Sequence, residues 1–231
     1  MSHIHLIGGE KGGVGKSVVA RALSQYLLDH GQPLAGVDAD GSHKTLLRSY
    51  GQYTQSVDLA RFSSADEIID RALAAERRVV VDLPAQSLED LKLWFDSADL
   101  ERFARDMNIG VTLWHVTDGG YDSLADLERT LSLFEGQVSY VVVKNLGRAK
   151  DFSQFDESPL RRKLEGLGGK VIELPELDAA SMFKIDRYGA SFWGAIHNTE
   201  GDGVLSPMER RRVQTWLDRV GLQFESLGNA F

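Results

Sequence analysis

The sequence predicts an α/β protein: a mostly parallel, twisted sheet with helices on both faces. Three observations predict it. Short β-rich runs alternate with helical patterns along the chain, the order that a parallel sheet with crossover helices requires. The β-rich runs are apolar with little alternation, as suits strands covered on both faces. A glycine-rich turn joins the first such run to the first helical pattern.

The elements follow in order. The first strand is the apolar run His3–Gly8, and an apolar-periodic helix spans 17–29. A second run, 34–37, ends before paired aspartates, and a helical pattern at 65–75 leads into the run Arg78–Asp82. The spacing then predicts a helix over 88–107, a strand over 111–116, a helix over 122–134 and a strand over 138–144. A helix at 159–167 precedes the last run, Lys170–Leu174. The remainder, 179–231, reads as helices broken by the turn-rich segment 198–207. There is no internal repeat or low-complexity linker, so residues 1–231 are expected to form a single domain.

Composition narrows the function classes. The 231 residues are 42% hydrophobic and 26% charged, ordinary for a soluble globular chain. Cysteine is absent, which excludes disulfides, thiolate-held zinc and thiolate-held iron–sulfur clusters. The formal net charge of −8 gives no general attraction to DNA, so DNA binding would need a local basic patch. No apolar run approaches about 18 residues, and no signal peptide precedes the first strand. The expected compartment is the cytoplasm.

The chemistry begins at Glu10-Lys11-Gly12-Gly13-Val14-Gly15-Lys16-Ser17. A strand, glycine-rich turn and helix in succession point several backbone N–H groups into one concavity at a helix N-terminus, where an anion is favoured. Lys16 adds charge for β- and γ-phosphates, and the Ser17 hydroxyl suits Mg²⁺. Gly12, Gly13, Val14, Gly15 and Val18 complete the expected nucleotide contacts. The general phosphate-loop pattern asks for glycine where this chain has Glu10, and a second lysine, Lys11, precedes the double glycine.

Other strand ends carry further candidates, because ligands of open α/β sheets sit at the carboxyl ends of strands. Asp38 and Asp40 follow the second run and can bind a magnesium-coordinated water or position an attacking water; the plain alternative is that they cap the next helix. Asp82 ends the third run as an Mg²⁺-holding carboxylate would. Asn145 follows the fifth run, and its amide offers a donor and an acceptor to a purine edge.

Lys11-Gly12-Gly13-Val14-Gly15-Lys16-Ser17 resembles the deviant Walker A motif of the MinD/ParA superfamily of P-loop ATPases. The resemblance implies ATP and Mg²⁺ as cofactors and an ATP-dependent homodimer in which Lys11 reaches the partner's nucleotide. By the same resemblance Lys11 and Lys16 are catalytic, Asp40 orients water, Asp38 and Asp82 belong to the metal side, Asn145 reads adenine, and Pro175 borders the base. Two departures are Gly41 and Ser42, where the family has Pro and Gln. Gln86 stands where a family glycine touches the γ-phosphate, either substituting with its amide or lying on the surface. Family members partition plasmids or chromosomes and position cargo, with an activating partner protein and nonspecific DNA binding. The layout, including Thr117-Asp118-Gly119-Gly120, also resembles small ATPases of plasmid mobilisation and conjugation. The competing classes are an ATP-dependent amide-forming or carboxylating enzyme on this scaffold, which generally lacks the signature lysine, and a nucleotide-binding scaffold with negligible turnover.

Three further signals have bland readings. The basic run Arg161-Arg162-Lys163, with Lys144, Arg148 and Lys150, reads as a solvated face diluted by acids. Residues 208–222 read as an amphipathic helix packed on the sheet rather than a membrane anchor, because Glu209, Asp218 and Glu225 interrupt the positive charge. His115 reads as a core or rim residue.

Overall fold

The computed structural model describes residues 1–228. The last three residues of the segment 179–231, and of the single-domain span 1–231, lie outside the described residues. The chain runs β1 (His3–Gly8), α1 (Lys16–Asp29), β2 (Leu34–Asp38), α2 (Thr45–Tyr50), β3 (Thr54–Ser56), α3 (Phe62–Ala65), α4 (Glu67–Ala74) and β4 (Arg78–Asp82). It continues through α5 (Leu88–Ser97), α6 (Leu100–Asp106), β5 (Gly110–Thr117), α7 (Tyr121–Phe134), β6 (Ser139–Asn145), α8 (Ser153–Asp156) and α9 (Pro159–Gly166). It ends with β7 (Lys170–Leu174), α10 (Ala179–Tyr188), α11 (Phe192–His197) and α12 (Pro207–Glu225).

Among the described residues seven strands form one sheet in the order β3-β2-β4-β1-β5-β6-β7, and each pairing there is parallel. β1 lies at the centre; β2 and β3 are laid down on one side, β4 returns to pair between β2 and β1, and β5 to β7 then build outward on the other side. That reversal opens a crevice at the carboxyl ends of the central strands, where the loop after β1 emerges.

Successive side chains on each strand feed opposite cores. Ile4, Leu6, Val79, Val81, Leu113 and Val142 face one layer, with α4 to α7 and α9. Ile7, Val80, Trp114, Val116, Val141 and Val143 face the other, with α1, α2 and α10 to α12. This double burial is why the strands read as continuous apolar runs.

α12 is fixed by a capping box: Ser206 accepts from the Glu209 N–H, while Glu209 accepts from the Ser206 N–H, and Pro207 opens the helix. Its apolar stripe, Val213, Trp216, Val220 and Phe224, is buried in the second core, as expected of a packed helix. Among the described residues no helix is long and apolar enough to cross a membrane.

The structure corrects the elements in four places, one of them the short α8 in a stretch expected to carry no element. The expected helix over 88–107 is two helices, because Asp99 adopts a left-handed conformation (φ 47°) and opens α6. Aspartate tolerates that region better than most residues. The short α2 and β3 fill a stretch left without elements. The pattern at 65–75 resolves into α3 and α4.

Candidate functional site

The loop between β1 and α1 is shaped by one close approach. Gly15 has φ 107°, and a Cβ there would lie 2.4 Å from Asn145 Nδ2. That amide donates to the Val14 carbonyl at 2.6 Å, while Asn145 Oδ1 accepts from the Gly147 N–H at 3.0 Å. Asn145 therefore pins the loop to the end of β6, and its remaining N–H and lone pair are what it can offer a base. Around Gly12 and Gly13 the space is open. No side chain caps α1, so its leading N–H groups face the concavity. Lys16 is buried beneath, donating to the Lys11 carbonyl at 3.1 Å. Burial lowers its pKa, against the pull of Asp82 and Asp40.

Glu10 has a role that the motif reading missed. Its Oε1 accepts from the Ser87 and Leu88 N–H groups, both at 3.0 Å, and so caps α5. Gln86, just before, has φ 58° and donates its N–H to the Glu10 carbonyl at 3.3 Å. A carboxylate in place of the usual glycine thus ties the phosphate loop to the segment after β4.

Three aspartates gather at the strand ends. Asp38 is fully buried, and its carboxylate accepts from the Asp40 N–H (3.1 Å) and the Leu47 N–H (2.9 Å), which fastens α2. Burial raises its pKa, although these N–H groups oppose the shift. Asp40 accepts from the Ser42 N–H (2.9 Å), the Ser42 hydroxyl (2.5 Å) and the His43 N–H (3.2 Å). Burial pushes its pKa up, but these hydrogen bonds outweigh it and the pKa is lowered. Asp82 is 1% exposed, and neither carboxylate oxygen has a hydrogen-bond partner. Burial raises its pKa to about 7; Asp38 adds to the shift, while the nearby Ser17 hydroxyl and Lys16 oppose it.

A cleft of about 450 Å³ opens over the loop, lined by Lys16, Ser17, Asp40 and Arg148. Beside it lies a hollow of about 300 Å³ lined by Asn145, Pro175, Leu177 and Phe183. Val18, Arg148 and Asp186 line both, so the two are continuous. Pro175 lies at this border with its carbonyl accepting from Trp216 Nε1 at 2.7 Å. Arg21 anchors the floor: buried within α1, it pairs with Asp186 at 2.7 Å and lies over Phe192. The arrangement offers phosphate donors, an uncompensated carboxylate and an adjoining apolar hollow, in that order along one crevice.

Lys11 lies outside the cleft. Its Nζ pairs with Asp118 Oδ2 at 2.7 Å, and Asp118 Oδ1 accepts from the Gly120 N–H at 3.1 Å. The sequence marks the loop after β5 by its resemblance only; that it ends a strand beside β1 was the signal for Asp118. Three of the six basic residues further on are in ion pairs among the described residues. Lys144 pairs with Asp156 (3.1 Å) and Glu173 (3.3 Å), Lys150 with Glu176, and Arg161 with Glu165 (3.0 Å). His115 is fully buried and its Nε2 bonds the Ser123 carbonyl at 3.0 Å.

Comparison with known proteins agrees with this geometry. The model of the CobQ/CobB/MinD/ParA nucleotide binding domain matches residues 6–184. Protein MobD of Acidithiobacillus ferrooxidans is 28% identical over 181 residues, covering 75% of this chain and 78% of that protein. A protein TraL of Escherichia coli is 28% identical over 250 residues, covering 100% of this chain and 99% of that protein. In fold, the chain resembles the septum site-determining protein MinD of Pyrococcus horikoshii, solved with Mg-ADP: TM-score 0.51, 16% identity, 100% of this chain and 99% of that one. The chain belongs to the CobQ/CobB/MinD/ParA nucleotide-binding family, and its likeness is to the MinD/ParA superfamily of P-loop proteins.

Proposed function

We propose that the chain is a Mg²⁺-dependent switch of the ParA/MinD type that binds and hydrolyses ATP, dimerises on ATP and acts in plasmid transfer or partition. One observation carries the reading. Asp82 is a buried carboxylate that accepts no backbone N–H and has only the Ser17 hydroxyl and the Lys16 ammonium near it. A buried carboxylate without a partner is costly, and a cation next to it removes the cost. Among the described residues no group of three or more His, Asp or Glu could hold a metal. The donor set therefore fits an ion held jointly by Ser17, Asp82 through water, and phosphate oxygens, as Mg²⁺ is.

Bound there, Mg²⁺ supplies positive charge to the β- and γ-phosphate oxygens. The loop N–H groups from Gly12 to Ser17 and the Lys16 ammonium hold the phosphates. Val18, Asn145 and Pro175 border the base. Asp40, kept in place by Ser42 and His43, presents a carboxylate that stays ionised and orients the attacking water. Asp38 acts behind it by fixing α2 and the turn that carries Asp40. Lys11 leaves Asp118 and places its charge in the partner copy's site, where fixed cations stabilise phosphoryl transfer. One domain carries all of these groups, working in the cytoplasm with an activating partner protein. Likeness to MobD and TraL supports the transfer role over other cargo.

The deciding measurement is light-scattering mass in ADP and in ATP with Mg²⁺, on wild type and Lys11→Ala. A dimer in ATP only, lost in the variant while nucleotide still binds, is the expected result. A mass indifferent to nucleotide would remove the switch and turn attention to small-molecule substrates.

A further inference from the structure

Two hollows lie away from the phosphate loop, at the other end of α1. They measure about 600 and 590 Å³ and share Gln25, Asp29 and Trp193, so they form one groove between α1, α11 and α12. Lys16 and Asp29 are the ends of α1, about 20 Å apart at a helical rise of 1.5 Å per residue. The groove is large enough for a small ligand or a few side chains.

Its walls are built and held. Gln25 is buried at 2% exposure, and its amide serves three neighbours: Nε2 donates to Asp29 Oδ1 (2.7 Å), while Oε1 accepts from the Tyr50 hydroxyl (3.0 Å) and the Trp193 N–H (2.9 Å). Trp193 is 54% exposed and stacks on His197 with ring centroids 4.5 Å apart; the Tyr26 and His30 rings are 4.1 Å apart. Three carboxylates, Asp29, Asp218 and Glu225, line the same groove, and none is in an ion pair among the described residues. No Lys or Arg lines either hollow among the described residues. Exposed aromatic faces ringed by carboxylates, with no Lys or Arg among the lining residues to offset them, favour a positively charged occupant.

We propose that this groove docks a basic segment of a partner protein, seating an arginine or lysine side chain against Trp193 and between the carboxylates. Aromatic faces attract cations, and Arg is the better fit because its planar group stacks on a ring and bonds carboxylates at once. Exposed tryptophan in a preformed hollow is also the residue type that dominates protein interfaces. The inference does not depend on what the phosphate loop binds.

The test uses the full chain, ¹⁵N-labelled, with N-acetyl-arginine amide as the probe and N-acetyl-norleucine amide as its uncharged counterpart. The Trp193 indole resonance is the readout, assigned by its loss in Trp193→Phe. The expected result is a saturable shift with the arginine probe alone, and binding weakened about tenfold in Asp29→Asn/Asp218→Asn. Both replaced carboxylates are exposed, and a melting curve establishes that the variant is folded. A control, Asp58→Asn/Asp106→Asn, carries the same charge change on other surfaces and keeps wild-type binding. Equal shifts with both probes, or equal weakening in the control, would overturn the proposal. So would a mass in light scattering that exceeds the monomer without nucleotide and falls in Trp193→Ala, which would make the face a contact between copies.

Discussion

The ends of β2 and β4 place two aspartates side by side, Asp38 opposite Asp82 in register, and treat them in opposite ways. Both are buried, yet Asp38 accepts two backbone N–H groups and Asp82 accepts none. The first fastens α2 to the sheet. The second is buried beside Ser17 and Lys16 with no backbone N–H to satisfy it. Sequence pattern alone gives both the same description, an apolar run ending in Asp, so only the hydrogen-bond count separates a structural carboxylate from one kept for a ligand.

The largest effect should come from the satisfied one. Asp38→Ala strands two buried N–H groups and is expected to cost about 2–4 kcal/mol, read as a lower urea midpoint. Asp38→Asn keeps an acceptor and should cost less. An Asp38→Ala protein as stable as wild type would break the comparison.

Asp82→Asn should do the reverse in nucleotide-free, metal-free protein. The folded pKa is raised to about 7, above the ordinary carboxylate value, so this group's contribution to stability is complete below about pH 4 and lost as pH rises through 7. Taking the pH 4 difference as the baseline, Asp82→Asn should gain steadily on wild type from pH 4 to pH 8. The same variant should lose the Mg²⁺-dependent part of ATP affinity. A stability difference flat with pH would mean that Asp82 is not the strained member of the pair.

The acid side of that experiment has its own slope. His3 and His115 are held neutral by burial, each with a pKa lowered to about 4, and the pKa of His5 is also lowered, by burial and then by His3 and Arg78. Their contribution is complete above about pH 6.5 and is lost as pH falls from there through 4, at about 1 kcal/mol per histidine by pH 5.5. Its sign is opposite to that of Asp82. His115→Gln should remove one step of the acid loss, measured as a shallower fall in urea midpoint between pH 6.5 and 5, while leaving the Asp82→Asn difference intact.

Much of this was legible in the sequence because it rests on local or strongly patterned signals. The glycine loop is contiguous, and doubly covered strands are apolar runs wherever they occur. β3 was not legible, since Thr54-Gln55-Ser56 carries no apolar pattern and is a strand only because the edge of β2 pairs with it. The break at Asp99 was hidden because apolar spacing resumes in α6 with Leu100 and Ala104. In the site, Glu10 read as a missing glycine, although its carboxylate caps α5 some 77 residues on. Such long-range satisfaction has no sequence period. Asn145 was read for its amide chemistry, but the sequence could not tell that the Val14 carbonyl uses one of its N–H groups.

The smallest expected effect on the fold sharpens the distinction most. Lys11 and Asp118 form a pair with the lysine 37% exposed, and exposed pairs hold little of a fold together because water screens both charges. The pair raises the Lys11 pKa and helps lower that of Asp118 against burial, so it holds both charges across neutral pH without anchoring an element. Lys11→Ala should therefore leave the urea midpoint unchanged while removing ATP-dependent mass gain and turnover. Asp118→Asn should also leave the midpoint unchanged, but it frees Lys11 and should raise the dimer fraction at a given ATP concentration. If Lys11→Ala lowers the midpoint as Asp38→Ala does, then Lys11 is structural, and the division between groups spent on the fold and groups kept for a ligand fails at the residue that most defines the motif.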